Sequence, residues 1–240
     1  MVFDNEKMCK LFDEILTSDD VALNFYNCYL KPEFRKWINS FLPEVEDCGR
    51  QEQDNPWHVY NCLDHILHSV EEINKLTKGK YSLETRRELA ITMFFHDLGK
   101  PKCHTKRYAE AFGREVDSFR GHNLESEKIF HRVADNLQID KTKEKIIGAL
   151  IKEHDIFSLI TIKDDGNKYH KVLSKELIDE MVNEFNKYGN GAVLMKYLIL
   201  IAKADNLAQN PKLTRGPLTL INKAESYIDK IIMQTERNSM

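Results

Sequence analysis

The chain has 240 residues, 42% of them hydrophobic and 30% charged, with a formal net charge of −3 at pH 7. That length buries a good core and sets one domain, or one plus a small appendage, as the expectation for an ordinary soluble globular protein. The slight negative balance excludes the basic footprint that grips long duplex DNA, but not a small anionic substrate, because a local metal ion and lysine outweigh a weak global charge.

Nearly every segment carries helical spacing. Phe3, Met8, Leu11, Phe12 and Ile15 make one apolar stripe. A second helix starts after Ser18-Asp19-Asp20 and ends before Lys31-Pro32. Pro32 suits the first turn of a third helix, which carries Phe34, Trp37, Ile38 and Phe41. Residues 43–55 are polar, contain Pro43, Gly49 and Asn55-Pro56, and read as a loop. The next helix runs from about Trp57 to Thr77, with Val59, Leu63, Ile66, Val70 and Ile73 facing the core. Ser82 can cap a helix carrying Leu89, Ile91, Met93, Phe94 and Phe95. Gly99 reads as its end, with Pro101 just beyond. Residues 101–120 read as irregular, with a turn at Phe112-Gly113. Further helices read at about 122–137, 141–155, 174–188, 191–208 and 217–234. Residues 158–172 alternate, contain Asp165-Gly166, and admit a short β-hairpin. No repeat, low-complexity tract or interdomain linker breaks the series. The fold class expected is all-α, in a single domain over residues 1–240 with an N-terminal helical extension over 1–42 and a C-terminal helix at about 217–234.

Cys9, Cys28, Cys48, Cys62 and Cys103 are odd in number, scattered, and without C-x-x-C spacing. They argue against a disulfide framework or a thiolate zinc site and fit a reducing cytoplasm. Asp4, Glu6, Asp13 and Glu14 are wrong for a signal peptide. The longest apolar stretch, Ala192 to Ala204, is interrupted by Lys196 and Lys203 and is too short to span a bilayer. The expectation is a cytoplasmic protein without a membrane partner.

The chemistry-bearing residues occur in the order His65, His96-Asp97, His122, His154 and Asp205. Imidazole and carboxylate are the side chains that bind divalent transition metals. An adjacent His-Asp pair alone is equally a C-terminal His favouring the helix dipole beside an exposed Asp. His65 alone is a packed core histidine. Asp205, however, ends the very apolar run Leu198 to Ala204, where an unpaired buried charge is costly. Separate structural explanations for each residue are a poorer account than one shared site.

The series His65, His96-Asp97, Asp205 resembles the signature of the HD superfamily of metal-dependent phosphohydrolases, and His122 and His154 resemble the additional ligands of its two-metal branch. Asn55-Pro56-Trp57-His58 leading to Asp64-His65, then His96-Asp97-Leu98-Gly99-Lys100-Pro101, then Gly121-His122 with Ser126 and His154, is similar to the HD domain of bacterial CCA-adding tRNA nucleotidyltransferases. The likeness covers about residues 50–210, with no nucleotidyltransferase head, so CCA addition is not implied. The chain also lacks the HDxxED form of guanosine tetraphosphate hydrolases and the Gly-Tyr-Pro motif of cyclic-di-GMP phosphodiesterases.

The resemblance implies an HD-domain helical bundle that hydrolyses a phosphomonoester or phosphodiester of a nucleotide-like small phosphorylated substrate. It implies one or two divalent ions, drawn from Mn, Fe, Ni, Co, Zn or Mg. His65, His96, Asp97 and Asp205 would hold the first, and Asp97, His122 and His154 the second. Asp97 and Lys100 would be catalytic, with Lys100 neutralising phosphate charge; a solvated lysine at a helix end is the equal alternative. His58 reads as structural, His68 as second to the ligands or surface, and Cys62 as packing. His104, Lys106, Arg107, Arg114 and Arg120 would contact substrate phosphates or form a solvated loop. A non-catalytic module that binds metal and nucleotide or RNA is the competing reading, and oligomerisation is left open.

Overall fold

A computed structural model describes residues 4–238 of the chain. Phe3, assigned to the first apolar stripe, lies outside the described residues. The architecture is the expected all-α bundle with a small β-hairpin. Helices α1 (Asn5–Leu16), α2 (Val21–Tyr29), α3 (Pro32–Phe41) and α4 (Glu44–Arg50) lead to α5 (Cys62–Thr77) and α6 (Leu83–Phe95). A single turn, α7 (Lys100–Cys103), precedes strands β1 (Thr105–Ala109) and β2 (Arg114–Ser118). Then come α8 (His122–Val133), α9 (Lys141–Glu153), the two-residue strands β3 (Ile160–Thr161) and β4 (Lys171–Val172), α10 (Lys175–Phe185), α11 (Gly191–Leu207) and α12 (Arg215–Asn238).

Polar side chains start many of these helices. Asp4, Asn61, Ser82, Asp140, Ser174 and Asn190 each accept a hydrogen bond from a backbone N–H in the first turn that follows. Such a cap contributes about 1 kcal/mol by satisfying a donor the helix leaves open. The last turns of α6 are buried all round, Leu89 through Phe95, as befits a central helix. It packs against α5, α9 and α11, while α11 packs against α5, α10 and α12. The ends of these central helices therefore meet in one place, which is where the histidines and Asp205 lie.

The N-terminal helices cover the core. Phe12 meets Phe94 edge to face at 5.0 Å, Phe25 lies 5.8 Å from Phe94, and Phe34 and Trp37 extend the same aromatic cluster. The Trp37 indole N–H donates to Asn5 Oδ1 at 2.9 Å, tying α3 back to α1.

Several boundaries differ from the sequence expectation for identifiable reasons. Residues 44–50 form α4 rather than a loop. Val45 and Cys48 bury one face, and Glu44, Glu46 and Asp47 suit the positive end of a helix while staying exposed or half-buried. The helix expected from Trp57 begins at Cys62; residues 56–61 form turns and α5 is capped by Asn61. Residues 105–118, expected to be irregular, are an antiparallel hairpin in which Thr105 faces Ser118 and Ala109 faces Arg114. Its first strand is exposed at four of five positions, so no apolar alternation marks it. The turn at Phe112-Gly113 is present, with Gly113 left-handed at φ +63°. The hairpin expected at 158–172 is instead a two-residue parallel pairing of β3 with β4.

Gly99 also has another role than the expected one. α6 already ends at Phe95, and Gly99 has φ −77°, so it does not stop a helix in the left-handed region. It is small because α8 crosses there. A Cβ on Gly99 would lie 2.4 Å from the His122 carbonyl oxygen and 2.7 Å from the Ser126 backbone nitrogen. The Gly99 N–H donates to Ser126 Oγ at 2.9 Å, a buried bond that fastens the two segments. Gly121, the residue before α8, does need its left-handed φ of +83°.

All five cysteines are free. Among the described residues, no helix is long and apolar enough to cross a membrane.

Two substitutions test this packing by urea denaturation. Phe94→Ala is expected to lower the unfolding free energy by about 3–5 kcal/mol, because the cavity opens beneath Phe12 of α1 and Phe25 of α2; a loss under about 1 kcal/mol would place the N-terminal helices elsewhere. Gly99→Ala is expected to destabilise, although alanine at a right-handed φ is ordinarily neutral or favourable. A stabilised Gly99→Ala protein would show that α7 and α8 are not in close contact.

Candidate metal centre

The ends of five helices carry the six predicted ligand residues to one buried point. His65 is the fourth residue of α5, in its first turn rather than mid-helix. His96 follows the last residue of α6, and Asp97 stands in the turn before α7. His122 is the first residue of α8, His154 follows the end of α9, and Asp205 lies in the last turn of α11. His65, His96, Asp97 and His154 are each 2% exposed or less.

Donor atoms fall into two groups that share Asp97. One group is His65, His96, Asp97 and Asp205; the other is Asp97, His122 and His154, with one donor atom of each residue within 4.8 Å of the rest of its group. Asp97 Oδ2 faces His65 Nε2 at 3.2 Å and His96 Nε2 at 3.1 Å. Asp97 Oδ1 faces His122 Nε2 at 3.1 Å and His154 Nε2 at 3.8 Å. Asp205 Oδ1 lies 2.9 Å from His65 Nε2 and 3.6 Å from His96 Nε2. Ligands held about 2.0–2.1 Å from one ion stand about 3.0–3.4 Å apart, so these separations suit a shared cation.

The outer nitrogens explain why the inner ones converge. Nδ1 of His96, His122 and His154 lies 2.5, 2.8 and 2.7 Å from the carbonyl oxygen three residues earlier, on Met93, Phe119 and Ile151. His65 Nδ1 makes a longer contact of 3.4 Å with the Ala208 carbonyl oxygen. A carbonyl only accepts, so each Nδ1 carries the proton, and a neutral ring then presents a bare Nε2 lone pair inward. His65 Nε2, His96 Nε2 and Asp97 Oδ1 have no hydrogen-bond partner although they are buried. Orphaned acceptors facing carboxylates at about 3 Å repel unless positive charge lies between them. The residues present therefore fit a divalent cation, and the buried His/Asp group could hold a metal ion.

Charge within the cluster follows the same logic. Burial disfavours ionising Asp97, but His96, Lys100, His122 and His65 outweigh it and hold the carboxyl well below its ordinary range. Asp205 is likewise buried and likewise held down by His65 and His96. Burial opposes a charged His96, yet Asp97 and Asp205 raise it to about 10. Burial and the neighbouring His96 and His122 push His154 down to about 4. Without a metal, a proton on His96 supplies part of the positive charge the two carboxylates demand.

Lys100 is neither solvated nor free. It is 4% exposed, and its ammonium lies 2.6 Å from Asp97 Oδ2 and donates to Gln53 Oε1 at 2.8 Å. It also lies 3.1 Å from His58 Nε2 and 5.6 Å from the centre of the Phe119 ring. His58 Nδ1 in turn lies 2.8 Å from Asn55 Oδ1, which fixes Nε2 as the acceptor for Lys100. Burial and the adjacent ammonium keep His58 well below its ordinary pKa, hence neutral. Burial resists the Lys100 charge, but Asp97 dominates and its pKa rises.

Gln53, Asn55 and His58 thus form a collar around Lys100 that the sequence reading did not assemble. Its signal in the sequence is the run Asn55-Pro56-Trp57-His58, with nothing in the spacing that ties it to Lys100. His68 is not part of the centre; it pairs with Glu71 at 2.9 Å and packs on Tyr60. Cys62 packs beneath the turn, with its thiol 3.6 Å from the Asp97 carbonyl oxygen. His104 pairs with Asp117 at 2.8 Å at the base of the hairpin. A cleft of about 460 Å³ lined by Glu44, Arg50, Leu98, Pro101 and Glu125 abuts the same turn, but none of the six convergent residues lines it.

No family model matches the chain. Its similarity runs to bifunctional uridylyltransferase/uridylyl-removing enzymes of two strains of Vibrio vulnificus, each 23% identical over 189 residues. Those residues span 73% of this chain and 19% of each relative, so the chain corresponds to a small part of those proteins. The likeness is weak; it supports an HD-type relationship and lends none to CCA-adding enzymes.

Proposed function

We propose that the chain is a metal-dependent phosphohydrolase of HD type, cleaving a phosphomonoester or phosphodiester of a nucleotide-like small substrate. The observation that carries this reading is the convergence of bare imidazole nitrogens and two carboxylates on one buried point, with orphaned atoms aimed at it. The uridylyl-removing activity named for the similar Vibrio proteins supports hydrolysis at a nucleotidyl phosphoester. The hydrophobic core shared from α1 to α12 supports reading the described residues as one HD-type domain.

His65, His96, Asp97 and Asp205 would hold one divalent ion, and Asp97, His122 and His154 a second. Such an ion supplies Lewis acidity and makes water a competent nucleophile near neutral pH. The protein's own contribution is orientation and charge. The backbone carbonyls of Met93, Phe119 and Ile151 fix three imidazole rings before anything binds. Lys100, braced by Gln53 and His58, keeps an ammonium beside Asp97, where it would offset charge on a phosphoryl oxygen.

Metal and protons compete for the same atoms. His96 is raised to about 10, so it is protonated in the metal-free protein at pH 7 and must lose that proton to ligate. The apparent metal affinity therefore rises with pH up to about 10 and falls as pH drops. Calorimetric titration of Mn²⁺ at pH 7, in buffers of different ionisation heat, should report about one proton released per first ion. Zero release would mean that His96 carries no proton before the ion binds, or that it is not a ligand.

Elemental mass spectrometry of gently purified protein should find one or two transition-metal ions per chain, lost in Asp97→Ala. Hydrolysis of phosphoesters should vanish with chelation and return with metal. Lys100→Ala should retain metal but lose about 10²–10³-fold in kcat, the usual cost of one charge-stabilising group. Absence of metal even after reconstitution would sink the hydrolase reading.

A further inference from the structure

We infer that Trp57 and Phe112 form a platform for a nucleobase at the rim of the metal centre, so that the substrate is a nucleotidyl ester rather than a simple sugar or alkyl phosphate. This deepens the phosphohydrolase reading and rests on it for the position of the phosphate.

Two segments of chain grow directly out of the centre. The hairpin β1–β2 joins the turn of His96, Asp97 and Lys100 to His122. Residues 51–61 run into α5 and His65, and they supply Gln53 and His58 to Lys100. The two segments are laced together: the Asp54 N–H donates to Asp117 Oδ2 at 2.7 Å, the Asp117 N–H donates to the Asp54 carbonyl at 2.9 Å, and Arg114 pairs with Asp54 at 2.8 Å. The hairpin tip then folds onto the loop, where Phe112 meets Trp57 at 5.6 Å with the rings at 88°.

That pair has features an internal clamp does not need. Trp57 is 37% exposed and Phe112 44% exposed, whereas the chain's other tryptophan, Trp37, is 2% exposed. Rings at a right angle make a corner: a flat heterocycle lying on one face meets the other ring with its edge. Trp57 precedes His58 in the same loop, and His58 Nε2 is 3.1 Å from Lys100, so the loop that carries the corner also reaches the ammonium expected to meet phosphate.

The charge of the hairpin complements the same ligand. Residues 100–121 hold Lys100, Lys102, Lys106, Arg107, Arg114 and Arg120 against three carboxylates, in a chain of net charge −3. The Arg107 and Arg120 side chains are exposed and form no hydrogen bond or ion pair among the described residues. An anionic group carrying an aromatic base satisfies both the cations and the rings, as stacking platforms with basic surrounds do for nucleotides.

The test compares adenosine 5′-monophosphate with ribose 5-phosphate, which has the same phosphate but no base, on metal-loaded protein. Affinities come from calorimetry, with tryptophan emission as a local reporter. The nucleotide is expected to bind about tenfold tighter or better and to quench emission, the size expected for one stacked base. Trp57→Ala and Phe112→Ala should each reduce that preference and leave ribose 5-phosphate binding unchanged. Trp57→Phe, which keeps a ring, should retain it. Equal binding of the two ligands by the wild-type protein overturns the platform, as does a preference that survives both alanine variants. If the preference holds while no phosphoester is hydrolysed, the platform stands and the catalytic reading falls. If phosphoesters are hydrolysed with no preference for a base, the catalytic reading stands and the platform falls.

Discussion

Six acceptor side chains share one buried volume, and electroneutrality there governs much of what surrounds it. Bare imidazole nitrogens and carboxylate oxygens about 3 Å apart are tolerable only with cationic charge among them. The chain supplies Lys100 permanently, and a proton on His96 when no metal is bound. A divalent ion meets the same demand more completely, because it engages the orphaned nitrogens as well as the carboxylates. The convergence is enforced from outside: carbonyls in the last turns of α6 and α9 accept the Nδ1 protons of His96 and His154, so bonds to the helix ends aim the rings.

Rigidity and recognition are divided between parts of the chain. Helix ends packed in the core hold the convergent residues, and the Gly99–Ser126 contact locks the segment bearing Asp97 to the helix bearing His122. The hairpin and the 51–61 loop are laced to each other, and the loop is also held to the bundle through Lys100 and Asn210. If the centre is catalytic, its helix-borne ligands and the loop pair beside it could vary separately, since loops tolerate change better than the elements they connect.

Much of this was legible in the residues. The apolar spacing placed the main helices, and the order of His65, His96-Asp97, His122, His154 and Asp205 named the residues that meet. The misses have common causes. A helix with only Val45 and Cys48 buried carries too little periodicity to stand out among acidic neighbours. A hairpin exposed along its first strand has no alternation to read. Gly99 looked like a helix stop, because the close passage of α8 is a tertiary fact that leaves no local mark. The collar of Gln53, Asn55 and His58 escaped for the same reason, since a polar loop residue and a buried lysine 40 or more positions away show no spacing in common. The distant likeness to uridylyl-removing proteins agrees with the HD-type part of the sequence reading, while the narrower kinship with CCA-adding enzymes found no support.

The two oxygens of Asp97 point into different donor groups, and that single carboxylate makes the groups electrostatically dependent. A cation held by the Asp205 group would draw charge from the shared carboxylate and so disfavour a second cation in the other group. The group that includes Asp205 has two carboxylates, whereas the other has Asp97 alone. If both groups took a cation, the first would be expected on the Asp205 side and would weaken the hold of the second. A protein of this kind would grade its doubly loaded fraction with the ambient metal supply instead of switching all at once.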